Sequence, residues 1–172
     1  MAARIDFDYL HGLAAGEEDR RLLHRIERDR ELLLSGKTLS FPGEYMQLHL
    51  LIPLGDHPDA MGTPLSLNLR SDMAPASMDT LLEIFRENAH LKLPGFRGEG
   101  GGTVVDLGAN EGYYTLRIKL LNPAARVVAA EPLEENFDLL IRNLESNGFS
   151  DVQTLRTAVT GEDGTLRLET VP

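Results

Sequence analysis

The 172-residue chain contains no cysteine. Disulfides, thiolate metal sites and cysteine nucleophiles are excluded together, and the cytoplasm is the expected compartment. Long apolar runs are also lacking. No stretch approaches the roughly 20 residues that span a bilayer, and Met1 to Glu18 has no hydrophobic signal core, so neither secretion nor membrane insertion is expected. Positive charge is scarce, with 17 Lys and Arg against 27 Asp and Glu and a net charge of −10. That balance disfavours nonspecific attraction to nucleic acid or anionic lipid, and neither is expected as a partner. Three catalytic signatures are missing as well: the G-x-x-x-x-G-K-[ST] phosphate loop, the H-E-x-x-H zinc helix and the G-x-S-x-G acyl-transfer elbow.

What is present reads as one globular domain with a small N-terminal addition, since 42% of residues are hydrophobic and 26% charged. Glu17 to Leu34 is rich in helix formers. Leu22, Leu23, Ile26 and Leu33 fall near one side, and Gly36 follows. From Tyr45 to Leu54 the period changes to two, with Met46, Leu48, Leu50, Ile52 and Leu54 on one face. Turn material at Gly55-Asp56-His57-Pro58 precedes a second alternation through Leu65, Leu67 and Leu69, which predicts a strand pair. A helix entered through Pro75-Ala76-Ser77, capped by Ser77, places Met78, Leu81, Leu82 and Phe85 inward and fades by Asn88. Glycines from Gly98 to Gly102 then mark a boundary between residues 1–97, the helical and hairpin addition, and residues 98–172.

The second part is organised around Thr103 to Pro132. A strand from Thr103 to Leu107 carries Asp106, then meets the turn Gly108-Ala109-Asn110-Glu111-Gly112. The helix after Gly112 stops at Asn122-Pro123, because proline lacks the donor for a further turn. A strand from Arg126 to Glu131 stops at Pro132. A helix from about Leu133 to Asn147 buries Phe137, Leu140, Ile141 and Leu144, with Gly148 as its stop. Val152 to Val159 reads as a third strand, and Thr165 to Glu169 as a short fourth after the turn at Gly161 to Gly164. Alternating strands and helices predict an α/β fold with a parallel sheet and right-handed crossovers.

A dinucleotide turn would read G-x-G-x-x-G, its glycines serving a tight bend, pyrophosphate approach and helix packing. Here the middle glycine is replaced by Asn110 and the last by Tyr113. The turn suits a ligand without a diphosphate. Val104-Val105-Asp106-Leu107-Gly108-Ala109-Asn110-Glu111-Gly112-Tyr113-Tyr114-Thr115, followed by Val128-Ala129-Ala130-Glu131-Pro132 and Asn136, resembles the FkbM-type family of S-adenosylmethionine-dependent methyltransferases over roughly residues 103–169.

The resemblance implies a Rossmann-like doubly wound methyltransferase fold, incomplete at its C-terminus, and S-adenosyl-L-methionine as cofactor. It places Asp106, Gly108, Asn110 and Gly112 on the first wall of the cofactor site. The amides opening the helix after Gly112 would receive the methionine carboxylate, Asp106 the ammonium group, and Glu131 the ribose hydroxyls. Leu133 would flank adenine or serve helix-entry packing. The acceptor implied is oxygen of a small metabolite, sugar or natural-product intermediate.

A catalytic base is not identifiable. His11, His24, His49, His57 and His90 show no metal-ligand spacing, and Asp56, His57 and Asp59 sit among turn formers, so no metal site is expected. Tyr113 and Tyr114 are read as core or rim residues. The family pattern would continue beyond Pro172 with strands that build the other wall of the crevice. An uncovered edge on the first strand of the parallel sheet is therefore expected to drive self-association or to be covered by the hairpin. Two alternatives stay open: a noncatalytic cofactor-binding or interaction module, and a nicotinamide oxidoreductase, which Asn110 and Tyr113 disfavour.

Overall fold

The computed structural model describes residues 5–35, 45–53, 62–87, 102–162, 164, 165 and 167. The chain divides into two compact units, Met1–Leu93 and Pro94–Pro172.

The first unit opens with a short helix, α1 (Phe7–Leu13), that periodicity does not predict, since seven residues hold barely two turns. Its start is fixed by Asp6, whose carboxylate accepts the Tyr9 amide at 3.0 Å. Helix α2 (Glu17–Leu34) follows with Glu17, Glu18 and Asp19 in the first turn, where the helix dipole favours negative charge. Leu23 and Ile26 are buried, but Leu22 is half-buried and Leu33 and Leu34 are exposed, so the apolar stripe is shorter than the sequence implies. An 18-residue helix is about 27 Å long and outreaches the seven-residue α1 beside it. Two acids are buried instead. Asp19 accepts the His49 amide at 2.8 Å and tethers α2 to the next strand, while Asp29 lies 3.7 Å from Arg25 and 3.4 Å from Arg28.

Strands β1 (Tyr45–Ile52) and β2 (Thr63–Arg70) form the expected antiparallel pair, in a register that opposes Leu48 to Leu67 and Leu50 to Leu65. The period-two pattern puts Leu48, Leu50, Ile52, Leu65, Leu67 and Leu69 on one buried face. Leu54 and the Gly55-Asp56-His57-Pro58 turn lie outside the described residues. Helix α3 (Ala74–Phe85) begins three residues before Ser77. Ser77 is therefore inside the helix, its hydroxyl donating to the Met73 carbonyl at 3.2 Å rather than capping an amide. Pro75 explains the earlier start, because a residue without an amide hydrogen is tolerated in a first turn. Met78, Leu81, Leu82 and Phe85 form the buried face as expected.

The second unit contains β3 (Thr103–Leu107), α4 (Tyr113–Leu121), β4 (Arg126–Ala130), α5 (Glu134–Ser146) and β5 (Gln153–Leu155). The strands pair in parallel in the order β3-β4-β5, as the alternation of strands and helices requires. β5 is much shorter than the predicted run to Val159. The Thr157 amide turns back to the Leu155 carbonyl at 3.1 Å and ends the strand. Thr165 and Arg167 are not in strand conformation, and the rest of the predicted fourth strand lies outside the described residues.

On α5 the inward face is rotated from the predicted one. Leu139, Leu140, Asn143 and Leu144 are buried, whereas Phe137 and Ile141 are half-buried. Asn143 is drawn inward because its side-chain amide donates to the Glu111 carbonyl at 2.8 Å. The helix stops as predicted at Gly148, which takes a φ of +76°. The Gly148 amide bonds the Glu145 carbonyl and the Phe149 amide the Leu144 carbonyl, the paired bonds of a glycine-closed helix end. Helix α4 is buried almost all round, Lys119 included. The Lys119 ammonium donates to the carbonyls of Pro123 and Ala125 and to the Asp151 carboxylate, pinning α4 to the two loops that precede β4 and β5. Among the described residues no helix is long and apolar enough to cross a membrane.

Candidate functional site

Every residue that the glycine turn offers stands at the carboxyl edge of the β3-β4 pair. Asp106 occupies the one buried position of β3, opposite Ala129, and Leu107 lies opposite Ala130. Glu131 is the next residue after β4, and its own amide bonds the Leu155 carbonyl at 3.0 Å, closing the ladder to β5. The two acids thus leave neighbouring parallel strands at the same end of the sheet, as the sequence predicts.

Asp106 is held from the helix side. The Thr115 hydroxyl, in the first turn of α4, donates to its carboxylate at 2.6 Å, and both residues are buried. Tyr114, half-buried beside them, has a phenol pushed above its ordinary value by burial and further by the Asp106 charge. It stays protonated at neutral pH, able to donate a hydrogen bond. Tyr113 is buried, and its hydroxyl donates to Glu111 at 2.5 Å.

The turn itself is built on three left-handed backbones: Gly108 at φ +75°, Asn110 at +51° and Gly112 at +88°. Glycine adopts that region freely, and asparagine is among the few other residues that do so readily. Asn110 therefore keeps the backbone shape while adding a side chain. The amides of Gly108 and Ala109 both donate to the Ala130 carbonyl at 2.9 Å, so the turn is laced to the end of β4.

The two glycines differ in their surroundings. A methyl group at Gly108 would meet no heavy atom of the described residues within 4 Å, so the space over that residue is open among them. At Gly112 the same group would lie 2.6 Å from Leu140 Cδ1. Gly108 leaves room for a ligand, whereas Gly112 leaves room for α5.

Glu131 is 4% exposed. One carboxylate oxygen accepts the Asn110 amide at 2.8 Å, the other the Leu133 amide at 2.9 Å. Leu133 is half-buried and takes the position preceding α5. The acid thus ties the turn, the strand end and the helix entry together. A carboxylate has about four lone-pair sites, so two remain after these bonds. Beside it, a concavity of about 240 Å³ is lined by Pro132, Arg156, Thr157, Ala158, Thr160, Gly164 and Thr165. That is below the roughly 300–1,000 Å³ of typical small-molecule pockets.

Sequence reasoning missed Glu111 and Asn143. Glu111 is buried, with its carboxylate on Tyr113 and its carbonyl on Asn143, so the fourth residue of the turn anchors the turn to α5. The one available signal was a polar residue at position 143, within a face otherwise apolar. Asp56, His57, Asp59 and His90 lie outside the described residues.

No family model matches the chain. Over 70 residues it is 39% identical to "Methyltransferase sdnD" of Sordaria araneosa, a match that covers 40% of this chain and 27% of that protein. Over 69 residues it is 35% identical to "Methyltransferase 1" of Beauveria bassiana (strain ARSEF 2860), covering 40% of this chain and 28% of that protein. The chain spans little more than a quarter of the length of these relatives. It is, over about two fifths of its own length, distantly similar to part of two fungal methyltransferases.

Proposed function

We propose that this chain carries part of an S-adenosylmethionine-dependent methyltransferase of the FkbM type, with a Rossmann-like doubly wound core, acting on oxygen of a small metabolite, sugar or natural-product intermediate. The observation that carries the reading is the Gly108 to Gly112 turn. Its three left-handed residues leave open space over Gly108 and set that space at the sheet edge where Asp106 and Glu131 emerge. The partial likeness to two methyltransferases supports the same chemistry.

The residues present fit the cofactor. Open space over Gly108 allows a ligand to approach the backbone, and Glu131 keeps lone pairs for a ribose diol beside its two amide bonds. Asp106 supplies negative charge near the turn for an ammonium group, with Thr115 fixing its orientation. When bound, S-adenosylmethionine brings a methyl group already activated on sulfonium. The protein's part is then to orient donor and acceptor in line, and for a hydroxyl acceptor to take up its proton. Gly112 and Leu133 serve the site by holding the turn and helix entry in place.

Glu131 also favours a second reading. Both of its oxygens are already engaged by backbone amides, which is what a purely structural clamp requires, and β3 forms one end of the three-stranded sheet. A noncatalytic cofactor-binding or interaction module would use the same features. Thermal-shift titration separates a cofactor-binding chain from an interaction module, since a ligand at about a hundred times its dissociation constant adds roughly 2.7 kcal/mol of stability. A rise with S-adenosylmethionine and its demethylated product, but not with NAD, is the expected result. No rise with any of them would leave the interaction module.

A further inference from the structure

We propose that His11, His24 and Glu27 form a binding site for a divalent transition ion of the zinc class. The site lies in the N-terminal unit, away from the glycine turn in sequence, and does not depend on the methyltransferase reading. His24 and Glu27 are three residues apart on α2 and so share one face of that helix. α1 places His11 beside them, and one donor atom from each residue lies within 4.8 Å of the other two.

The distances from Glu27 to the two rings are longer than hydrogen bonds. Glu27 Oε2 is 3.8 Å from both His11 Nε2 and His24 Nδ1. Hydrogen bonds of this type need about 2.7–3.2 Å. Around a tetrahedral ion with ligand bonds of about 2.0–2.1 Å, neighbouring ligand atoms stand about 3.4 Å apart. The two Glu27 separations would contract by a few tenths of an ångström, and the two imidazole donors, within 4.8 Å of each other, would draw together to meet one ion.

His11 supplies an independent sign. Its Nε2 is buried and has no hydrogen-bond partner among the described residues, an unfavourable condition for a polar atom. A bound ion would use that lone pair. The two imidazole rings also stand close, with centroids 4.1 Å apart.

The donor set selects the ion class. Two imidazoles and one carboxylate suit zinc and its transition-metal neighbours, while magnesium and calcium prefer oxygen alone. Three protein ligands leave a fourth position for water, and the His24 side chain is 69% exposed, so exchange with solvent is open. The ion would clamp α1 to α2.

Isothermal titration of the metal-free 172-residue chain with zinc chloride tests this. One ion per chain is expected, with a rise in melting temperature that a chelator reverses. Cobalt in place of zinc should give the visible bands of a four-coordinate ion. His24→Ala and Glu27→Gln, checked for unchanged circular dichroism, should each lower affinity at least tenfold. A control chain with both His57→Ala and His90→Ala should bind as before. Absence of stoichiometric binding, or full affinity in both His24→Ala and Glu27→Gln, would overturn the site.

Discussion

Glu131 accepts the backbone amide of Asn110 at 2.8 Å, so the acid that follows β4 also holds the turn that leaves β3. Its second oxygen holds the Leu133 amide at the entry to α5. Shape of the turn and availability of the acid are therefore coupled through one side chain.

Replacing Glu131 with alanine should affect folding and binding separately. Loss of the acceptor leaves two amides short of partners and is expected to lower unfolding free energy by about 2–3 kcal/mol, read by denaturant titration. Glu131→Gln keeps one acceptor oxygen and should cost less. Both variants should weaken S-adenosylmethionine binding, measured by isothermal titration. Unchanged affinity alongside reduced stability would assign Glu131 to the turn alone.

The two glycines of the turn should respond differently to alanine. Gly108→Ala meets only backbone strain, about 1–2 kcal/mol for a left-handed residue, and should weaken cofactor binding by filling the open space. Gly112→Ala adds a collision with the buried Leu140 side chain and should be the more destabilising of the pair. Thermal melts rank them. Equal losses at both positions would contradict the assignment of Gly112 to packing.

Acid should loosen the loop before β5. The hydrogen bond from Lys119 holds the Asp151 carboxyl below its ordinary 3.8 against an opposing burial effect, and the lysine charge adds to the lowering. A depressed carboxyl contributes stability above its unfolded value that is lost as pH falls through the folded value. The contribution of this pair should thus be complete above about pH 5 and decline below 3.8. Asp151→Asn should flatten that part of the acid limb in melts taken against pH. Lys119→Ala, which also strips the Pro123 and Ala125 carbonyls of a donor, should cost about 1–3 kcal/mol at neutral pH.

The side of β3 that pairs with no strand among the described residues should promote self-association. β3 is an end strand of its sheet, and Val105 and Leu107 on it are 56% and 57% exposed. Apolar side chains on an unpaired strand invite pairing with another copy. Light scattering after size exclusion should show mass rising with concentration, and Val105→Lys should suppress the rise. A monomer at every concentration would count against this.

Much of the architecture was legible because two periods alternate cleanly. Leu48, Leu50, Ile52, Leu65, Leu67 and Leu69 repeat every second residue and form the hairpin face, and the glycine turn marks the crossing from β3 to α4. What was illegible depended on tertiary partners. Helix α1 is too short to show a period, and its start rests on one aspartate. Ser77 resembles a cap until Pro75 is seen to lie inside the first turn. The face of α5 turned because Asn143 answers a carbonyl 32 residues away, which no local pattern encodes. The burial of Lys119 has no local sequence signal, because only the folded loops supply the carbonyls that receive it. At the candidate site the placement of Asp106 and Glu131 on one edge followed from strand lengths. The engagement of Glu131 by two amides did not.

The contact between Gly112 and Leu140 bears on how this turn can change over generations. The methyl that position 112 lacks is replaced by a leucine methyl from α5, so the two positions share one volume. A side chain can appear at 112 only where 140 gives way, and drift at either residue is constrained by the other. In descendants of this chain the pair would be inherited, or altered, together.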